Sequence, residues 1–147
     1  MIRALRTADI DRVSEIWLRS NTEVHDYVPA RYWQDVLEPV KGMLAQGEVY
    51  VFEGPEGRIE GFIGLEGEHI EGIFVGRAAR SGGIGRQLMD HVKGLRARLS
   101  LNVYQRNVRA VRFYEREGFR IWREHMDEAV GQAEHIMVWE RDEPSSL

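Results

Sequence analysis

Apolar residues recur along this 147-residue chain in two rhythms. One has the period of a helix and the other the alternation of a strand. Ile10, Val13, Ile16 and Trp17 mark one face of a first helix, with Thr7 as its N-cap. The polar stretch "SNTEVHDYVPA" interrupts it, and a second helix is expected after Pro29, carrying Tyr32, Trp33, Val36, Leu37, Val40 and Leu44. "IRAL", "EVYVFEG", "RIEGFIGLEG" and "HIEGIFV" read as strands, the middle two joined by the turn residues "GPEG". Ile84, Leu88, Val92 and Leu95 then return at helical spacing. "LSLNVY" is a strand, "NVRAVRFYEREG" a helix closed by Gly118, and "FRIWREHM" and "EHIMVWER" two final strands around "DEAVGQ". The pattern predicts an α/β domain of the mixed α+β kind over residues 1–147, with a loose tail at 142–147.

Composition narrows the function. Hydrophobic residues make up 43% of the chain, enough for a core. A net charge of -4 gives no overall basicity to attract nucleic acid or an anionic membrane. With no cysteine there is no disulfide, no Cys-type zinc site and no thiol nucleophile. The five histidines lack ligand spacing, and no metal is expected. The N-terminus has no long apolar run, and a cytoplasmic protein fits these features.

The chemistry concentrates at "RSGGIGRQLMDHV", Arg80 to Val92. It follows the apolar strand "GIFV" and opens an amphipathic helix. Glycines let backbone N–H groups approach an anion, and a helix N-terminus carries partial positive charge. Arg80 and Arg86 add formal charge. A plain strand–helix connection explains the loop equally well when it is taken alone. The phosphate loop of nucleotide hydrolases is excluded, because Gly85 is followed by Arg86 and Gln87 rather than Lys and Ser or Thr. The dinucleotide fingerprint is excluded because its third glycine position holds Leu88.

The pattern present, Arg80-x-x-Gly83-x-Gly85, resembles the pyrophosphate-binding signature of the GNAT superfamily of N-acetyltransferases. A second match follows in order. Asn107, Ala110, Phe113, Tyr114, Gly118 and Phe119 fill every position of that family's Asn-x-x-Ala-x-x-Phe-Tyr-x-x-x-Gly-Phe motif. The likeness extends over most of the chain and is strongest to small bacterial members, some associated with protein lysine acetylation. It implies a central, mostly antiparallel sheet flanked by about four helices. It also implies acetyl transfer from acetyl-CoA to a primary amine without a covalent enzyme intermediate.

The resemblance assigns roles residue by residue. Arg80, Ser81, Gly82, Gly83, Ile84, Gly85 and Arg86 would hold the pyrophosphate. Ile73, Phe74 and Val75 would offer backbone to the pantetheine arm and thioester, beside a strand glycine, Gly72, that marks a bulge. Asn107 is a helix cap or a ligand contact. Tyr114 shares its helix face. A phenol is protonated at neutral pH and can meet a leaving thiolate as proton or hydrogen-bond donor.

The amine must lose a proton before it attacks. His69 and Glu71 alternate on one strand and so share a face. His69 falls where some family members carry a glutamate, and both residues stand as candidates for the proton path. His25, Tyr27 and Trp33 are candidates for the acceptor side, with His25 also a third candidate base. Glu23, Asp26, Glu66, Glu68 and Glu71 would together suit a cationic acceptor. Trp17, Trp33, Trp122 and Trp139 are expected in the core or at its rim. Protein lysine, a protein N-terminus and a small amine all remain open as acceptors, as do monomer and homodimer. The competing reading is a non-catalytic acyl-CoA-binding regulatory module.

Overall fold

The computed structural model describes residues 1–76, 79–80 and 82–142. The elements in chain order are β1 (Ile2–Ala4), a 3-10 turn (Thr7–Asp9), α1 (Ile10–Val24), α2 (Ala30–Gln46), β2 (Glu48–Glu53), β3 (Ile59–Glu66) and β4 (His69–Val75). There follow α3 (Ile84–Leu95), β5 (Arg98–Tyr104), α4 (Val108–Arg116), β6 (Arg120–Asp127) and β7 (Gln132–Glu140). The strands form one seven-stranded sheet in the order β1-β2-β3-β4-β5-β7-β6. Every neighbouring pair is antiparallel except β4 and β5. The mixed, mostly antiparallel sheet with four α-helices is the expected architecture.

Alternation along the strands separates two apolar layers. On one face, α3 contributes Ile84, Leu88, Met89 and Val92, which pack on Ile63, Ile70, Leu99, Leu101 and Met137; Val111 of α4 joins them. On the other, Val13 and Ile16 of α1 and Leu44 of α2 cover Val49, Val51, Ile59 and Phe62. Burying a side chain of this size contributes roughly 1.5–3 kcal/mol, so the two layers hold the helices on opposite faces.

Three local expectations change. Thr7 is not the N-cap of α1: it opens a 3-10 turn, and Asp9 accepts from the Arg6 N–H at 2.8 Å while pairing with Arg3. The interruption expected from Ser20 starts later, because α1 continues to Val24. Ser20 and Asn21 are buried; the Asn21 amide and the Thr22 hydroxyl bond back to the Trp17 and Leu18 carbonyls, and the Ser20 hydroxyl accepts from Arg80 at 3.4 Å. Trp122 is not a core residue. It lies 55% exposed on β6, with the Arg123 guanidinium over its ring.

One irregularity matters for function. Gly64 faces Gly72 but Leu65 faces Ile70, so Glu71 is an extra residue in β4. A bulge bends its strand and increases its twist. Pairing with β5 covers only His69↔Ser100 and Ile70↔Leu101 and ends at this bulge. From Glu71 to Val75, β4 therefore runs with its β5 side unpaired, and the two strands diverge toward Val75 and Tyr104.

Candidate active site

The gap between β4 and β5 is built from the sequence up. Gly72 sits where a Cβ would lie 2.5 Å from the Phe74 ring, so a side chain there would displace that ring. Phe74 in turn stacks on Phe62, with centroids 5.2 Å apart. Ile73 and Val75 turn their side chains to the α3 layer, and Phe74 turns to the α1–α2 layer. Their side chains are thus committed to packing, and their backbone lines the gap. An unpaired strand edge needs hydrogen-bonding partners; Arg80 supplies one at the Val75 carbonyl, and an extended amide-bearing chain would suit the rest.

The glycine loop lies at the open end of β4. Gly83 caps α3 with φ +82°, a conformation glycine adopts without strain. Gly85 packs against Phe113, its Cβ position 3.5 Å from the ring, which seats the loop on α4. Ile84 is buried in the core, whereas Gly82, Gly83 and Arg86 are exposed. Ser81 lies outside the described residues. Arg80 donates from Nε to the Val75 carbonyl at 3.2 Å and lies 3.7 Å from Glu23 of α1. Glu23 is therefore at the loop rather than beside Glu66 and Glu71. A cleft of about 740 Å³ opens here, lined by Arg12, Arg19, Arg58 and Arg80 against Glu15 and Glu60. Its balance of charge is positive.

Tyr114 packs against the α3-side core, its ring between Phe113 and Phe119 at 5.5 and 5.9 Å. Burial pushes its phenol above the ordinary tyrosine value, which keeps it protonated. Asn107 caps α4: its Oδ1 accepts from the Ala110 N–H at 3.2 Å. Its Nδ2 faces His25 Nε2 at 3.3 Å, bringing together residues 82 positions apart.

The other side of the gap carries the remaining candidates. His69 Nδ1 is 2.8 Å from the Ser100 hydroxyl. Burial raises the Glu71 carboxyl; the His69 charge opposes this and Glu66 adds to it. Beside Glu66 and Glu71 a cleft of about 460 Å³ is walled by Trp17, Leu44, Phe62 and Phe74. It offers an apolar wall with carboxylates at its edge.

His25 and Trp33 sit together at 5.6 Å, with Tyr27 5.7 Å and Tyr104 5.0 Å from the His25 ring. Trp33 is only 6% exposed, so it is a wall rather than a surface contact. Burial drops the His25 pKa to about 4 and raises Tyr27 to about 12. Four residues not singled out from the sequence complete this face. Tyr104 donates to Asp127 at 3.2 Å, and Asn102 donates to Glu134 at 3.4 Å. Burial, reinforced by Asp127, raises the Glu134 carboxyl. Alternation from Ser100 to Tyr104 marks one face, but only the β5–β7 register brings Glu134 opposite Tyr104. Among the described residues no group of His, Asp and Glu could hold a metal ion, and no helix is long and apolar enough to cross a membrane.

Comparison with known proteins gives consistent matches. The acetyltransferase (GNAT) domain family matches over residues 45–121. The peptidyl-lysine N-acetyltransferase YiaC of Escherichia coli is 36% identical over 123 residues, 82% of this chain and 84% of that protein. The peptidyl-lysine N-acetyltransferase YjaB of the same organism is 30% identical over 120 residues, 82% of each chain. The solution structure of apo YjaB superposes with a TM-score of 0.85 at 26% identity, covering 97% of this chain and 98% of that one.

Proposed function

Because the chain belongs to the GNAT family of acetyltransferases, we propose that it transfers the acetyl group of acetyl-CoA directly to the side-chain amine of a lysine in a protein or peptide. The observation that carries this reading is the parting of β4 from β5 at the Glu71 bulge, with the glycine loop and α3 at its open end. An extended pantetheine-like arm, rich in amides, fits an unpaired strand edge. A pyrophosphate fits glycine N–H groups beside arginines. The lysine acceptor is suggested by YiaC and YjaB. It is also supported by an apolar cleft edged with Glu66 and Glu71, suited to an aliphatic stem with a cationic tip.

In this mechanism, Arg80, Ser81, Arg86 and the backbone of Gly82–Gly85 hold the pyrophosphate. Arg80 exchanges its Glu23 partner for phosphate. The backbone of Ile73–Val75 holds the pantetheine arm and polarises the thioester carbonyl. Asn107 has a second amide hydrogen free of its His25 contact and donates it to the arm. Glu71, its carboxyl raised by burial, takes the ammonium proton with His69 beside it as relay. Trp33 and Tyr27 wall the acceptor side. Tyr114 meets the leaving sulfur. A thiolate's pKa is about 8.5 by analogy with cysteine, well below that of the raised phenol. Tyr114 therefore stabilises the thiolate by hydrogen bonding rather than by complete proton transfer.

The test is melting with and without acetyl-CoA, followed by free-thiol release against lysine peptides, N-terminal peptides and polyamines. A melting shift with thiol release on lysine peptides is the expected result. Release on polyamines or free α-amines alone would refute the acceptor. Absence of any shift at saturating acetyl-CoA would refute the whole reading.

A further inference from the structure

A continuous hydrogen-bonded chain joins the end of α1 to the start of α4. Asn21 donates from Nδ2 to the Trp17 carbonyl at 2.9 Å, which leaves its Oδ1 as acceptor toward His25 Nδ1 at 3.1 Å. Asn107 uses Oδ1 to cap Ala110, which turns its Nδ2 toward His25 Nε2. Both amide orientations are thus set independently of the histidine. Together they admit one arrangement: Nδ1–H donates to Asn21, and Nε2 accepts from Asn107. The backbone adds to this, since the His25 N–H donates to the Asn21 carbonyl at 3.0 Å and the His25 carbonyl accepts from Val28 at 3.0 Å. Tyr27, Trp33 and Tyr104 close around the ring.

A general base needs a free lone pair at the reacting proton. The free lone pair of this imidazole is already used on Asn107. We propose that His25 is a positioning residue, acting through Asn107, that aligns the α4 cap with the acetyl-CoA site. Asn107 alone could rotate its amide about its own side-chain torsions. With His25 fixed on the far side, its second N–H points in one direction, and the first turn of α4 is held to the α1–α2 connection. This rests on the reading of Asn107 as an acetyl-CoA contact, and it removes His25 from the list of bases.

Glutamine and asparagine separate the possibilities. A glutamine carbonyl reaches the Nε2 position and can accept from Asn107, whereas asparagine reaches only the Nδ1 position. Neither can carry the proton of a base. Acetyl-CoA affinity in His25→Gln is expected within about threefold of native, and in His25→Asn weaker by about fivefold or more, as loss of one hydrogen bond near 1 kcal/mol implies. The KM for the acceptor peptide is expected to stay unchanged in both. Collapse of kcat in both variants would make His25 a base. A rise of acceptor KM in both would make it an acceptor contact. Equal loss of affinity and melting temperature in both would make it packing. Each of these overturns the proposal.

The native protein supplies a readout that no folding defect can blur. Nitrogen-15 spectra of the His25 ring at neutral pH are expected to show protonated Nδ1 and bare Nε2. The opposite tautomer, or a ring titrating near its ordinary value, overturns the link. Failure of the native chain to bind acetyl-CoA would instead sink the functional reading, and the tautomer would then decide the link by itself.

Discussion

Replacing Tyr114 by phenylalanine removes one oxygen from an enclosed ring and nothing else. Phe113 at 5.5 Å and Phe119 at 5.9 Å still pack on it, and among the described residues the hydroxyl makes no hydrogen bond that the folded protein would lose. Stability should therefore hold, with a melting shift within about 2 °C, given roughly 2–4 °C per kcal/mol for a chain of this size. Turnover should not hold. A hydrogen bond to a developing thiolate is worth about 1.5–3 kcal/mol, which corresponds to a fall of about 10- to 100-fold in kcat. Acetyl-CoA affinity, measured by calorimetry, should stay within about twofold, because the ground-state thioester sulfur is a poor acceptor. Because burial raises the phenol, the native enzyme should also show no loss of activity from Tyr114 ionisation below about pH 10. Unchanged kcat would remove Tyr114 from the reaction. A large fall in melting temperature together with kcat would reduce it to a packing residue.

Arg80→Ala should weaken acetyl-CoA binding by about tenfold, and the difference from native should shrink as salt rises; affinity titrations at low and high salt check this, and equal affinities would refute the loop assignment. Glu71→Gln keeps the shape of the bulge but cannot take a proton, so kcat with lysine peptide should fall by about 100-fold with acetyl-CoA affinity intact; if His69→Gln shows that fall and Glu71→Gln does not, the two roles are exchanged. His25 has its folded pKa lowered from 6.5 to about 4, so in that interval the unfolded chain binds more protons than the folded one. Its contribution to stability is present above pH 6.5 and is lost as pH falls through about 4, about 3 kcal/mol in all; chemical denaturation across this range should show it, and His25→Gln should remove that component. Tyr27 shows the opposite sign: raised to about 12 by burial, it favours the folded state below pH 10 and loses this between about 10 and 12, which alkaline unfolding of Tyr27→Phe against native would reveal.

Much of the site is legible in the chain because it is local. The glycine loop with α3, and Asn107 to Phe119 with α4, are each a single turn-and-helix unit. Their chemistry depends on residues three and four apart and on backbone that glycine alone accommodates. Gly72 likewise announces the bulge within its own strand. The two layers of core follow from periods of 3.6 and 2, as Leu88 and Val92 or Val49 and Val51 illustrate. Where local chemistry misleads, tertiary packing has overruled it. Ser20 to Val24 look like a loop from composition, yet stay helical because Ser20 and Asn21 are buried and the Asn21 and Thr22 side chains bond back to carbonyls of α1.

What only the tertiary structure decides is which distant residues meet. Nothing in the chain orders β7 between β5 and β6, and without that order Glu134 and Asp127 have no relation to Tyr104. The point where β4 leaves β5 depends on a pairing between segments about 30 residues apart, set by how two twisted strands pack beneath α3. The partner of His25 lies 82 positions away, and burial among three aromatic rings, not its neighbours in sequence, turns an apparent loop base into a neutral bridge. Sequence specifies side chains and local backbone preference. The low-dielectric interior that shifts their charge, and the register that pairs them, come from the closing of both helical layers onto one sheet.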